Sequence, residues 1–110
     1  NKKASATIVG SNISAADIKS GIVKIPVSGA TSITLPSGSD LDTQFPDMEP
    51  RECYQFMIYP KGGTTALDFV KLQNALGCTC DDSLNKNSTN IIYPRIVILQ
   101  KMAQSSYAIY

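Results

Sequence analysis

The stretch ECYQFMIYPKGGTTALDF, residues 52–69, decides the fold class of this chain. Its first part, ECYQFMIY, places successive side chains on alternate sides of the backbone if it is a β-strand. Both sides would then be largely apolar, and strands with that composition lie inside a sheet that is covered on both faces. The sequence therefore predicts a central strand with Tyr54, Phe56 and Ile58 on one face and Cys53, Gln55, Met57 and Tyr59 on the other.

The centre of this stretch, PKGGTT at residues 60–65, offers a choice between a phosphate-binding loop and a turn. A phosphate-binding loop ends in Gly-Lys-Ser/Thr and opens a helix, so that backbone N–H groups and the helix dipole meet the anion. Here Lys61 precedes the glycines and a strand-like run follows. The order favours a hairpin in which Gly62 and Gly63 supply positive φ.

The residues after the glycines satisfy two patterns. TTALDFVKL, residues 64–72, suits a return strand, whereas ALDFVKLQNALG places Phe69, Leu72 and Leu76 on one side of a helix that would end at Gly77. We favour the strand, followed by a loop. The polar run that begins CTCDDSLNKN, residues 78–90 in full, then predicts an exposed loop or a hairpin tip.

Short β-branched runs separated by Gly, Pro, Asn and Ser continue outward from this centre in both directions. Pro26 demotes the run at 21–27 to an edge strand or a bulged strand. Six to eight short strands in one chain of 110 residues predict an all-β fold, a single-domain β-sandwich or jelly-roll-like barrel. The further strands are predicted at 21–27, 31–36, 91–102 and 105–110, and Ile8 and Val9 could add one more.

Two segments carry helix signals. Ser14 can cap a short helix that stops at Gly21. Residues 1–20 could also serve as an N-terminal arm of the 1–110 domain. The long connection at 37–50 allows a helical turn at 40–44, where Leu41 and Phe45 lie four residues apart and could pin the loop to the core.

Composition excludes several functions. The net charge of +1 gives no field that would gather nucleic acid, and no apolar run reaches the roughly 18 residues of a membrane span. Hydrophobic residues make up 43% and charged residues 17% of the chain, a surface that suits burial against other subunits. We therefore predict no membrane contact, and nucleic acid is not an expected partner.

Catalytic and metal chemistry lack their usual residues. Histidine is absent, which removes the commonest general base and metal ligand. Cys53, Cys78 and Cys80 form an odd set, so a complete disulfide framework is not expected, although one bridge from Cys53 stays open. Carboxylates cluster at 40–42, 47–52 and 81–82, all in predicted connections. We predict no catalytic residue, no metal and no cofactor, and hence no enzyme.

From residue 29 onward the chain resembles small β-domains of structural proteins from tailed phages and other viruses. The likeness implies a capsid-surface module of the head-decoration, minor-capsid or fibre type, located in the virion. It would bind copies of itself, for example as a trimer, and a major capsid protein. The stretches that carry the resemblance are GATSITLPSGSDL, YQFMIYPKGGTTALDF, IVILQKM and YAIY.

Two other resemblances are kept as alternatives. MEPRECYQF, PKGG and FVKLQNAL are similar in order and spacing to the small single-stranded nucleic-acid-binding barrel of coronavirus replicases, although this chain continues through two more predicted strands. PRECYQF and CDDSLNKNSTNII resemble the globular head of type IV pilins. That resemblance would make a bridge from Cys53 to Cys78 or Cys80 expected.

The candidate interface residues are tyrosines, because tyrosine is enriched where protein surfaces meet. The sequence cannot separate those that face a partner from those that face the core. The set is Tyr54, Tyr59, Tyr93, Tyr107 and Tyr110.

Overall fold

The computed structural model of the chain describes residues 4–65, 67–80 and 91–110. These residues form two short helices and eight strands, so the predicted β-rich single domain is confirmed at that level. The elements in chain order are β1 Ala4–Thr7, α1 Ala15–Ser20, β2 Gly21–Pro26, β3 Ala30–Thr34, α2 Gly38–Gln44, β4 Cys53–Lys61, β5 Phe69–Gln73, β6 Cys78–Cys80, β7 Arg95–Ala103 and β8 Ser106–Ile109.

Six of the strands form one mixed sheet in the order β1-β2-β4-β7-β8-β6. β1 runs parallel to β2, β2 to β4 and β6 to β8, whereas β4–β7 and β7–β8 are antiparallel. The remaining strands, β3 and β5, form a separate parallel pair. Jelly rolls and most sandwiches are antiparallel, so this topology supports the β-rich class without establishing either architecture.

The two helices form where the capping signals predict them. The Ser14 hydroxyl accepts a hydrogen bond from the N–H of Asp17, whose carboxylate accepts one from the N–H of Ser14. α1 ends at Gly21, which adopts φ 101°, a left-handed conformation that glycine reaches without steric cost. At the start of α2, the Ser37 hydroxyl accepts a hydrogen bond from the N–H of Asp40. Leu41 is fully buried and Phe45 nearly so, which confirms that this turn is pinned to the core.

The core lies on one face of the six-stranded sheet. Alternate side chains of β2, β4, β7, β8 and β6 point into it, and α1, α2 and the β3–β5 pair cover them. We call this side the covered face. Its buried side chains include Val23, Ile25, Phe56, Ile58, Val97, Leu99, Tyr107 and Ile109, which form one core cluster with Ile18, Leu41, Ile33, Val70 and Leu72 of the covering layer.

β4 is central, as its alternation predicts, but it does not form a hairpin with β5. It pairs with β2 on one side and β7 on the other, while β5 pairs with β3. The predicted central hairpin at 52–69 is therefore wrong, although the strand preference over a helix is confirmed at Phe69–Gln73. Only Gly62 of the two glycines has positive φ, at 84°. One left-handed residue redirects the chain out of the sheet instead of reversing it into a neighbouring strand.

The prediction that Pro26 makes its strand an edge strand or a bulged strand is also wrong, because β2 lies between β1 and β4 and pairs with both without a register shift. The Lys24 carbonyl accepts from the Ile8 N–H on the β1 side, and the Val27 N–H donates to the Lys61 carbonyl on the β4 side. Backbone groups of successive residues in a strand point alternately to its two neighbours, so the nitrogen of Pro26 points toward β1. It lies beyond the last residue of β1. The missing N–H therefore interrupts no ladder.

Three further outcomes concern the ends and loops. Residues 4–20 contribute β1 and α1, and place Ile8, Ile13 and Ile18 in the core. The predicted loop at 78–90 begins instead as β6, whose partner is β8. The rest of that prediction, at 81–90, lies outside the described residues.

Candidate functional site

The five candidate tyrosines occupy different environments. Tyr107 is 2% exposed on the covered face, so it belongs to the core and cannot meet a partner. Tyr54 is half-buried: its hydroxyl donates to the Lys19 carbonyl at 2.5 Å, and its ring centroid lies 4.9 Å from that of Phe45. Tyr59, Tyr93 and Tyr110 are exposed. Of the predicted set, these three remain available for contact with another molecule.

The second face of the six-stranded sheet carries four of the nine large apolar side chains that are exposed among the described residues. In register across the strands, Ile22 of β2 lies beside Met57 of β4, and Met57 beside Ile96 of β7. Ile98 lies beside Tyr110, since their backbones exchange two hydrogen bonds of 3.0 and 2.9 Å. We call this side the open face and define it by Ile22, Met57, Tyr59, Ile96, Ile98 and Tyr110.

The open face is exposed within the described chain. Ile96 is 53% exposed and Ile98 39%, and both helices and the β3–β5 pair lie on the opposite side. The prediction that β4 is covered on both faces therefore holds for only one face. Met57 and Ile22 are half-buried by their neighbours in the sheet.

Charge on the open face is sparse and one-sided. Among the described side chains that point to this face, the charged ones are Lys24 of β2 and Lys61 of β4, at the carboxyl ends of two adjacent parallel strands. Lys24 pairs in register with Tyr59. The face is thus an apolar band with polar side chains such as Gln55 at intervals and a basic end.

Asp42 is a carboxylate whose partners join distant parts of the chain. Its oxygens accept from the Tyr107 hydroxyl at 2.6 Å and from the N–H and hydroxyl of Ser105 at 2.9 and 2.8 Å. Lys101 lies 3.5 Å away. The Tyr107 hydrogen bond, followed by those of Ser105, lowers the pKa of Asp42 below its ordinary value. A fully bonded, ionised carboxylate is a poor general base, so we assign it to joining α2 to the β7–β8 turn.

The PKGGTT segment, residues 60–65, uses two of its N–H groups for a contact other than phosphate. The carboxylate of Asp68 accepts from the N–H groups of Gly29, Thr64 and Thr65 at 2.8, 3.1 and 3.2 Å, and from the Thr65 hydroxyl. These bonds, that from Gly29 most strongly, lower the pKa of Asp68. The N–H groups of Thr64 and Thr65, which could help to cradle an anion, are therefore occupied by the chain's own carboxylate, and β5 instead of a helix follows.

The three cysteines are unbridged. Cys53 is exposed on the same side of β4 as Met57, whereas Cys78 and Cys80 are buried on the covered face. Burial, and to a lesser degree the neighbouring Cys80, raises the pKa of Cys78 to about 12. Buried thiols of that kind are unreactive.

Metal ligands do not converge in the described part of the chain: no group of three Cys, Asp or Glu side chains there could hold an ion. Of the carboxylate clusters, Glu52 is engaged with the N–H of Glu49, and residues 81–82 lie outside the described ranges. Neither described helix is long and apolar enough to cross a membrane.

The sequence pattern missed the two isoleucines that dominate the open face. Ile96 and Ile98 belong to the run RIVILQ, in which four successive residues are apolar. Such a run predicts a strand buried on both sides and gives no sign of which side lacks a cover. Four apolar residues in succession do indicate an apolar contact on each side of the strand. They do not identify which part of this chain, or which other molecule, makes the second contact.

Comparison of the chain with protein-family models, with curated proteins and with solved structures gave no match.

Proposed function

We propose that this chain is a structural module of a virion that acts by adhesion between protein subunits, through its open face. The observation that carries the proposal is the contiguous apolar band of Ile22, Met57, Ile96 and Ile98 on a sheet face that no described element of the chain covers. Contiguous exposed apolar surface on a domain marks an interaction site.

The side chains at the ends of the band suit a protein interface. Tyr59 and Tyr110 are 39% and 46% exposed. Tyrosine anchors protein interfaces because its ring buries a large apolar area while its hydroxyl keeps a polar partner. Depletion of charge at the centre of the band is a further property of interface cores.

The charged residues of the open face indicate how two copies of the chain would pair. Lys24 and Lys61 lie at one end of the open face, so two copies stacked with these ends together would repel. A two-fold arrangement with the basic ends apart avoids the repulsion and buries the apolar bands against each other. On a major capsid protein, the matching surface would be apolar with an acidic margin.

The assignment to a virion rests on the resemblance of residues 29–110 to capsid-associated β-domains. In this proposal the six-stranded sheet is one layer of a sandwich-like or jelly-roll-like module, and the β3–β5 pair with the helices is the other. The module would lie on the capsid surface as a decoration, minor-capsid or fibre-type protein. It would carry out no chemistry and need no cofactor.

Size-exclusion chromatography with light scattering tests the adhesion. We expect the wild-type chain to be oligomeric at tens of micromolar, and the double variant Ile96→Glu with Ile98→Glu to be monomeric with an unchanged circular dichroism spectrum. Lys71→Glu, on the exposed side of β5, is the matched control and should leave the oligomer intact. An oligomer that survives the double variant would contradict the use of this face.

Two further measurements separate the alternatives. A titration with single-stranded nucleic acid should show no binding; salt-sensitive binding by a monomer would favour the replicase-type barrel instead. Virus-sized particles should be purified from the organism or sample that produces this protein. Mass spectrometry should detect the chain in these particles. Its absence from such particles would contradict the virion assignment while leaving the adhesive face intact.

A further inference from the structure

We propose that the cleft at the carboxyl end of β4 binds a neutral saccharide through one sugar ring. The cleft has a volume of about 280 Å³ and lies between the end of β4, the loop at 63–65 and the segment at 92–94. That volume is near the lower limit of ligand pockets, roughly 300–1,000 Å³, and suits one ring better than a long chain. The proposal goes beyond adhesion between subunits, because it assigns a small-molecule site.

The residues around the cleft fix the charge of its ligand. None of the eight residues that line it is Asp, Glu, Lys or Arg. Two loop N–H groups that could attract an anion, those of Thr64 and Thr65, already donate to Asp68. Lys24 and Lys61 lie at the same end of the sheet but do not line the cleft, so a charged ligand would meet no counter-charge inside it, which is unfavourable in a partly enclosed site.

The polar groups that the cleft does present are hydroxyls. Within the described residues, no hydrogen bond involves the hydroxyl of Thr64, Tyr59 or Tyr93. Each hydroxyl can both donate and accept. Three such groups around an uncharged cleft match a ligand that also carries several hydroxyls.

The apolar part of the cleft is aromatic. Tyr93 is 77% exposed and Tyr59 is 39% exposed, so both rings offer surface to a ligand. A pyranose ring has one face of C–H groups that packs on an aromatic ring and a rim of hydroxyls that forms hydrogen bonds. Aromatic surface with a small number of placed polar groups is the usual composition of a specific small-molecule site.

The loop wall of the cleft is held in shape before any ligand arrives. Asp68 fixes Thr64 and Thr65 by three hydrogen bonds and joins them to Gly29. Gly63 packs so closely that a Cβ there would lie 2.9 Å from a methyl group of Val27. A preorganised loop loses little conformational entropy on binding, which favours a weak ligand with few contacts.

The test is a titration followed by ¹H–¹⁵N NMR with a panel of methyl glycosides of glucose, galactose, mannose, N-acetylglucosamine and N-acetylgalactosamine. We expect at least one glycoside to give saturable shifts confined to residues 62–65 and 92–94, with a Kd on the order of 1 mM. Tyr93→Ala should weaken that binding about tenfold and Thr64→Val about fivefold, through loss of ring contact and of one hydrogen bond.

Controls keep the result specific to the cleft. Both positions are exposed, so the variants should fold, and a two-dimensional spectrum verifies this. Tyr110→Ala removes an exposed tyrosine of the open face and should leave glycoside binding unchanged. Tyr59 belongs to both the cleft and the open face, but Thr64 and Tyr93 line only the cleft. Their variants should therefore keep the oligomeric state of the wild type, so failure of one proposal does not imply failure of the other.

Three outcomes would overturn the saccharide site. They are the absence of saturable shifts at the cleft with every glycoside of the panel, binding that survives Tyr93→Ala unchanged, and tighter binding of a hexaproline peptide at the same residues. The last outcome would assign the cleft to an extended proline-rich segment, which also docks on tyrosine-lined grooves.

Discussion

The covered and open faces of the six-stranded sheet are built from the same strands, yet they differ in what they contact. On β4, Phe56 is buried at 1% exposure, whereas Tyr59 on the other face is exposed. On β7, Leu99 is fully buried and Ile98, its neighbour in sequence, is not. Hydrophobicity alone does not distinguish the members of these pairs. A side chain contributes to the stability of the monomer only where another layer of the same chain packs on it.

The two faces contribute to different free energies, that of folding and that of association. The covered face stabilises the fold of a single chain, and its side chains interlock with α1, α2 and the β3–β5 pair. The open face leaves its apolar area in water, so its contribution is realised on association. Two matched pairs of substitutions test this division, together with the reactivity of the thiols and the response of stability to acid.

The largest effect is expected for Phe56→Ala compared with Tyr59→Ala, both on β4. Removing the buried ring should lower the free energy of unfolding by about 3–5 kcal/mol, because it leaves a cavity in the core. Tyr59→Ala should change the stability of the monomer by less than about 0.5 kcal/mol. Urea unfolding at low protein concentration measures both values. Equal losses would show that the open face is packed within one chain.

Thiol reactivity compares the faces without mutation. At about pH 8, Ellman's reagent should label the exposed Cys53 at least about 100-fold faster than Cys78 and Cys80, which must wait for the native state to open. All three thiols should react in concentrated guanidinium chloride without reductant. Fewer than three would reveal a disulfide, which the resemblance to type IV pilins implies and the structure does not contain.

A smaller effect is expected for Tyr107→Phe compared with Tyr110→Phe on the last strand and its end. The Tyr107 hydroxyl donates to Asp42, so its removal should lower the free energy of unfolding by about 1–2 kcal/mol. Removing the hydroxyl of the exposed Tyr110 should leave the free energy of unfolding without measurable change. Thermal unfolding of the two variants, side by side with the wild type, gives the comparison. If Tyr107→Phe leaves the free energy of unfolding unchanged, water replaces the contact with Asp42.

The smallest effect concerns acid. The folded-state pKa of Asp42 lies below the ordinary value of 3.8, chiefly through Tyr107, and so does that of Asp68, chiefly through Gly29. A lowered pKa stabilises the fold above the unfolded-state pKa, and this stabilisation is lost as the pH falls through the folded-state value. The free energy of unfolding should therefore decline below about pH 4, and less steeply in the Asp42→Asn, Asp68→Asn double variant. Urea unfolding at a series of pH values from 7 to 3 tests this.

The sequence predicted those parts of the fold that depend on neighbouring residues. The alternation at 53–59 identified β4 and the face that Phe56 and Ile58 share, and Ser14 with Gly21 bounded α1. The strand pattern of β3 and β8 and the pinned turn at Leu41 were equally local. Each signal spans fewer than ten residues, and the pattern of hydrogen bonds or burial within that span is sufficient to produce it.

The candidate site was predicted less well. Tyrosine identity selected Tyr59 and Tyr110, which lie on the open face, but also Tyr107, which is buried against Asp42. It missed Ile96 and Ile98. A tyrosine in a strand can face either side, and only the layer that packs on that strand decides whether its hydroxyl meets solvent or an internal carboxylate.

By itself, the sequence determined where both helices and most strands form, β1 and β6 excepted, and that one domain would be rich in β-structure, because periodicity and capping act over a few residues. The tertiary structure alone decided that β4 pairs with β2 and β7 instead of β5, that Pro26 is tolerated inside the sheet, and that one face has no cover. Strand partners far apart in sequence are selected by the combined packing of all layers. A local pattern specifies which side chains share a face of a strand, but not what packs against that face.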